Sequence, residues 1–266
     1  MTFGGPSGLV APAALLEVRG LTLRFGGVVA LDDVSFDVAP GQICGLIGPN
    51  GAGKTSLFNC LSRLVACSAG EIRFASQPLH TLPRHRMAAL GIGRTFQNLA
   101  LFRSLTVRQN VLVGTHSRRR AGFVAHALRL RTALREEADH ARRADELLEL
   151  LAIADVAQVP VAELPFGTQK RVELARALAA EPRLLLLDEP ACGLNHEEIG
   201  RLAALIRELR ARFSLTVLLV EHHMGLVMAL SEKIVALNFG RKIAEGTPAE
   251  VRREPELVKA YLGAAA

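Results

Sequence analysis

Short apolar runs and amphipathic stretches alternate along most of the chain. Leu16–Phe25 alternates apolar and polar positions as a half-buried strand does, and Val34–Val38 is a second short strand. Asp32–Asp33 and Pro40–Gly41 read as turns. Ile43–Ile47 is a compact apolar run, expected as a buried strand, and Ser56–Leu64 has helical spacing. Glu71–Phe74 is another short strand, and residues 126–151 carry Ala, Leu, Arg and Glu with a helical period. A loop bracketed by Pro160 and Pro165 precedes a helix over Lys170–Ala180, which Pro182 ends. Leu184–Leu187 and Leu215–Val220 have strand length, with an amphipathic helix over Glu197–Arg212 between them. Gly225–Leu230 reads as helix, Ile234–Leu237 as strand, Gly240–Arg241 as a hairpin turn and Pro248–Leu262 as a C-terminal helix.

Strands alternating with helices predict an α/β fold with a largely parallel central sheet. The helix-rich block near residues 87–175 is then an inserted helical subdomain. Gly, Pro and Ala mark residues 1–14 as a loose arm, which leaves a main domain over 15–245 and a tail over 246–266. Half of the 266 residues are hydrophobic, ample material for a core, which excludes intrinsic disorder. The charge-free stretch Thr2–Leu16 is broken by Pro6 and Pro12 and lacks a basic start, so neither a membrane span nor a secretory signal is expected.

Charge adds one feature. Of a net +6, residues 116–143 supply most: eight Arg stand against Glu136, Glu137 and Asp139. The stretch has no interleaved aromatics of the kind that stack on bases, so a solvated helix face is expected before an anionic lipid surface, and nucleic acid last. Cys44, Cys60, Cys67 and Cys192 make no CxxC pair and no zinc spacing, and read as reduced thiols.

The chemistry begins at Gly48-Pro49-Asn50-Gly51-Ala52-Gly53-Lys54-Thr55, followed by Ser56. It fits GxxxxGK with a final Thr, and it lies between an expected strand and an expected helix, the setting a phosphate loop requires. Glycines let successive backbone N–H groups wrap a phosphate closely, and the next helix aims its positive end at the same anion. Lys54 is placed to reach the β- and γ-phosphates of a nucleotide, and the Thr55 hydroxyl to hold Mg2+. Leu184–Leu187 ends in Asp188-Glu189-Pro190. Asp188 is a candidate for holding Mg2+ through water, and Glu189 for deprotonating an attacking water.

Together with Leu164-Pro165-Phe166-Gly167-Thr168-Gln169, these motifs resemble the ATP-binding subunit of ABC transporters over residues 16–262. The resemblance implies a P-loop NTPase core with a mostly parallel sheet, an antiparallel β edge and a helical insertion. It also implies ATP hydrolysis with Mg2+. By the same resemblance Gln97 in RTFQN is the Q-loop residue, Cys192-Gly193-Leu194-Asn195 the D-loop, and His222 the switch histidine, preferred to His223. Phe25 stands where an aromatic stacks on adenine, and Gly167 where the signature loop meets a partner's nucleotide. Thr55, Gln97 and Asp188 form the implied Mg2+ set, partly through water.

RTFQNLALFRSLTVRQNVLVG, LPFGTQKRVELARALA, DEPACGLN, EHHMGLVM and the ending EGTPAEV…VKAYLG are similar to the branched-chain amino acid importer subfamily, in particular the longer of its two ATPase subunits. Partners implied are a second ABC ATPase subunit, identical or homologous, two membrane permease subunits and an extracytoplasmic solute-binding protein. Location at the cytoplasmic face of the membrane follows, with no nucleic acid. Two positions depart from the family pattern: Pro165 replaces the signature serine, and Asn195 replaces the D-loop aspartate. Importers of other amino acids, amides or urea, lipid exporters and soluble ABC ATPases share the cassette. A GTPase is excluded by the lack of NKxD.

Overall fold

The computed structural model describes residues 14–262, apart from 120, 123, 124, 126 and 129. Nearly all of the arm expected over 1–14, and the last four residues of the tail, lie outside the described residues. Strands β1 (Leu16–Phe25) and β2 (Val28–Val38) pair antiparallel, and β3 (Ile43–Ile47) then runs into helix α1 (Lys54–Leu61). β4 (Ala69–Phe74) and β5 (Gln77–Pro78) complete a four-stranded antiparallel sheet in the order β2-β1-β4-β5. A short helix α2 (Met87–Leu90) leads to β6 (Ile92–Arg94). Helices α3 (Val107–Gly114), α4 (Arg131–Leu150) and α5 (Phe166–Ala179) follow. The chain continues through β7 (Leu184–Asp188), α6 (His196–Phe213), β8 (Thr216–Val220) and α7 (Met224–Leu230). It ends with β9 (Lys233–Asn238), β10 (Arg241–Gly246), α8 (Pro248–Val251) and α9 (Pro255–Leu262). The second sheet has the order β10-β9-β3-β8-β7-β6, parallel except where β10 joins β9.

Both faces of this larger sheet are covered, which is why its central strands are continuous apolar runs rather than alternating ones. Leu185, Leu187, Val217 and Leu219 pack toward α5 and α6. Their neighbours Leu184, Leu186, Leu218 and Val220 pack toward α1 and the antiparallel sheet. Each such fully buried side chain contributes about 1.5–3 kcal/mol. The parallel strands therefore form a stiff platform, and the loops at their carboxyl ends carry the candidate chemistry.

Several local expectations are corrected. Asp32–Asp33 is no turn: β2 runs through it, and the register shift against β1 leaves Asp33 at φ 53° in a bulge. The chain reverses instead at Gly26–Gly27. β6 is a short parallel edge strand that three residues of sequence do not announce. α5 starts at Phe166 rather than Lys170, because Pro165 suits the N-cap, where a missing N–H costs nothing. The single helix expected over Pro248–Leu262 is two, since Pro255 breaks the run.

Candidate functional site

β3 delivers the phosphate loop at the centre of the sheet, between β8 and β9. Gly48 takes φ 150°, and a Cβ there would lie 2.2 Å from the Leu237 carbonyl oxygen. Gly53, the N-cap of α1, takes φ 100°, and its Cβ would lie 2.7 Å from the Ala30 carbonyl oxygen. Both positions demand glycine. α1 has neither an acidic residue in its first turn nor a side-chain cap, so its leading N–H groups have no anion from their own chain. Lys54 Nζ donates to the carbonyls of Gly48 at 2.6 Å and Pro49 at 2.9 Å. Burial pulls this ammonium below the usual lysine value, against the opposing pull of Glu189 and Asp188. Thr55, next along, is exposed.

β7 ends at the buried Asp188. Burial pushes its carboxyl above the usual range, and a 3.0 Å ion pair with Arg94 opposes that. Glu189 has left the strand, at φ 49°, a left-handed conformation that non-glycine residues adopt at a cost. There it meets two of the side chains expected to act with it. Gln97 Nε2 donates to Glu189 Oε2 at 2.8 Å, and His222 Nε2 lies 2.6 Å from Glu189 Oε1. His223 instead caps α7, its Nδ1 accepting from the Leu226 N–H. Glu221 is buried and accepts from the N–H groups of Ala191 and His222, which ties the loop after β7 to the loop after β8.

The remaining positions lie at the margins. Phe25 is exposed at the end of β1. Gly167 lies in the first turn of α5, and a Cβ there would meet nothing within 4 Å. Asn195 is committed to its own helix: it caps α6 reciprocally with Glu198. Thr55, Asp188 and the Gln97 carbonyl are hard oxygen donors of the kind Mg2+ takes. Among the described residues no group of three or more His, Cys, Asp or Glu is placed to hold a metal ion.

A family model described as "ABC transporter" matches residues 31–192, and one described as "Branched-chain amino acid ATP-binding cassette transporter" matches 241–266. The chain is 43% identical over 251 residues to the high-affinity branched-chain amino acid transport ATP-binding protein BraF of Pseudomonas aeruginosa, covering 94% of this chain and 98% of the relative. The chain belongs to the ABC transporter family, as an ATP-binding subunit. LivG of Escherichia coli, of the same printed description, is 41% identical with the same coverage. The solved ADP conformation of MJ1267, an ATP-binding cassette of an ABC transporter, superposes with a TM-score of 0.80 at 26% identity, covering 94% of this chain and 99% of that one. Among the described residues, no helix of this ABC subunit is long and apolar enough to cross a membrane.

Three residues around the site lie inside motifs read from the sequence that assign them no role. Arg94 reaches from β6 to Asp188, to Asn59 on α1 and to Ser62 at its C-cap, at 3.0 Å each, and lies over the rings of Phe58 and Phe96. Lys170 donates to the carbonyls of Glu189, Pro190 and Cys192. Glu173 is buried on α5 and accepts from the Phe96 and Ala100 N–H groups. Their place in the RTFQN and LPFGTQKRVELARALA segments, and their charge within strand-like or helical runs, are the legible hints.

Proposed function

We propose that this ABC subunit hydrolyses ATP with Mg2+ to drive import of branched-chain amino acids through separate membrane subunits. The observation that carries the reading is Glu189, held between Gln97 and His222 beside the phosphate loop. The backbone N–H groups of the turn over residues 48–56, of which Pro49 has none, surround the phosphates: Asn50, Ala52 and Ser56 lie in that turn with the glycines, Pro49 shapes it, and Lys54 neutralises the phosphate charge. Thr55, Asp188 and Gln97 would supply oxygen donors for Mg2+, partly through water, and the ion would offset phosphate charge as it develops. Glu189 takes a proton from the attacking water as its oxygen bonds to the γ-phosphorus and the bond to ADP breaks. His222 steadies the other oxygen of that carboxylate. Phe25 offers an exposed face to adenine.

The chain has one phosphate loop and one LPFGTQ loop, so a second ABC ATPase subunit completes each site, with Gly167 and the N-terminus of α5 facing the partner's nucleotide. We read residues 15–245 as the ATPase domain and the helices within 87–175 as the part that meets two membrane permease subunits, with 246–266 as a subfamily tail. Placement is peripheral, on the cytoplasmic face of the membrane, with an extracytoplasmic protein delivering the solute. Support for the solute is the printed description of the tail model and of the relatives. The test is uptake of labelled leucine, isoleucine and valine by cells lacking the gene. The parent chain should restore uptake and Lys54→Ala should not; undiminished uptake in the deletion strain contradicts the proposed solute.

A further inference from the structure

The residue that aims Gln97 at Glu189 lies on neither loop. Thr95 begins the intervening loop pinned to β7, donating its N–H to the Leu186 carbonyl at 3.0 Å and accepting the Asp188 N–H at 3.3 Å. The next residues reach α5. A single oxygen of Glu173, Oε1, accepts the N–H of Phe96 at 3.1 Å and of Ala100 at 3.3 Å, and the Arg176 guanidinium donates to the Ala100 carbonyl. Both ends of the turn that carries Gln97 are thus fixed by two residues one helical turn apart. One turn of α5 toward its N-terminus, Lys170 holds the backbone of Glu189 itself, donating to its carbonyl at 3.2 Å.

Packing does not account for a carboxylate at this place. Glu173 is 3% exposed among Val172, Leu174 and Ala175, where an apolar side chain would bury without charge. Burial raises its carboxyl above the usual glutamate range, and Arg176, at 3.9 Å, is too far for a close ion pair to offset that fully. Buried charges of this kind are commonly no better for stability than apolar replacements. Its two N–H bonds are what an apolar residue could not supply.

We propose that Glu173 is a positioning residue for hydrolysis, acting through Gln97 by clamping the Phe96–Ala100 turn. The inference rests on the reading of Gln97 and Glu189 given above. If the clamp holds only the geometry of the hydrolytic step, its loss lowers kcat and leaves the nucleotide affinity set by the phosphate loop alone.

The test is a double-mutant cycle on the assembled transporter, with ATP affinity measured in parallel by fluorescent-nucleotide titration. Glu173→Ala should lower kcat about tenfold, since a misplacement of about 1 Å can cost about 10²-fold and a smaller shift costs less. Affinity should stay within about twofold, and Gln97→Ala should lower kcat by a similar factor. The double variant should be no slower than the slower single one, because the second change removes a support whose load is already gone. Multiplying effects, or a Glu173→Ala loss confined to affinity, overturn the proposal while leaving Gln97 in place; a fully active Gln97→Ala overturns the underlying reading as well. Glu173→Gln guards against a folding defect: its carbonyl oxygen accepts both N–H bonds, so kcat within about threefold of the parent is expected by the same positional argument. A tenfold or greater loss in that folded variant would also overturn the clamp.

Discussion

Two helix starts in this molecule are proposed to meet a nucleotide, and they are built in opposite ways. At α1 the preceding loop is bare backbone folded against neighbouring carbonyls, so tightly that Gly48 and Gly53 have no room for a Cβ. At α5 the preceding residue is Pro165, and Gly167 in its first turn has open space where a side chain would go. The first is a finished cradle whose geometry comes from its own chain. The second is an open surface, which on the proposed function a second ATPase subunit completes. On the proposed function one chain supplies half of each of two sites, and its sensitivity to substitution should differ between the halves.

The sharpest break in that comparison is a methyl group. Gly48→Ala places a Cβ against the Leu237 carbonyl in a left-handed conformation, a strain of at least about 1–3 kcal/mol before any displacement of the loop. Nucleotide binding by that variant should fall by more than about tenfold, the equivalent of 1.4 kcal/mol. Gly167→Ala should fold and bind nucleotide as the parent does, and change only the hydrolysis rate of the assembled pair. Equal losses of binding in the two variants would mean that the two helix starts do not differ in this way.

A smaller effect sharpens the same contrast between closed interior and open rim. Burial pushes the Cys44 thiol up to about 12 and the Cys60 thiol up to about 11. A raised thiol pKa keeps the unreactive protonated form through mildly alkaline pH, so both should resist alkylation at about pH 8. Cys192, exposed in the loop after β7, should be labelled first, as mass spectrometry of the native protein would record. Early labelling of Cys44 would mean that the strand beneath the phosphate loop opens far more readily than its packing implies.

The sequence made the cradle legible and left the supports obscure, for a physical reason. The strands β3, β7 and β8 are apolar because both sheet faces are covered, and the phosphate loop needs fixed residue types at fixed local spacing. Pattern and motif suffice for such features. Arg94 meets Asp188 across 94 positions of chain and Glu173 meets Phe96 across 77, so only the folded arrangement assigns them partners. Asp32–Asp33 misleads because paired aspartates suit a bulge as well as a turn. The start of α5 was hidden by Pro165 and Gly167, which read as loop residues although proline at a helix start leaves no bond unmade.

Glu189 is the residue proposed to take the proton from the attacking water. Its most direct test is the hydrolysis rate of Glu189→Gln in the assembled transporter, under conditions where bound ATP is shown by titration to match the parent. The carboxamide keeps size and shape but cannot serve as the base, so turnover should fall by about 10²–10⁴-fold with ATP retained intact. Turnover near the parental rate would contradict the assignment and move the chemistry to another residue.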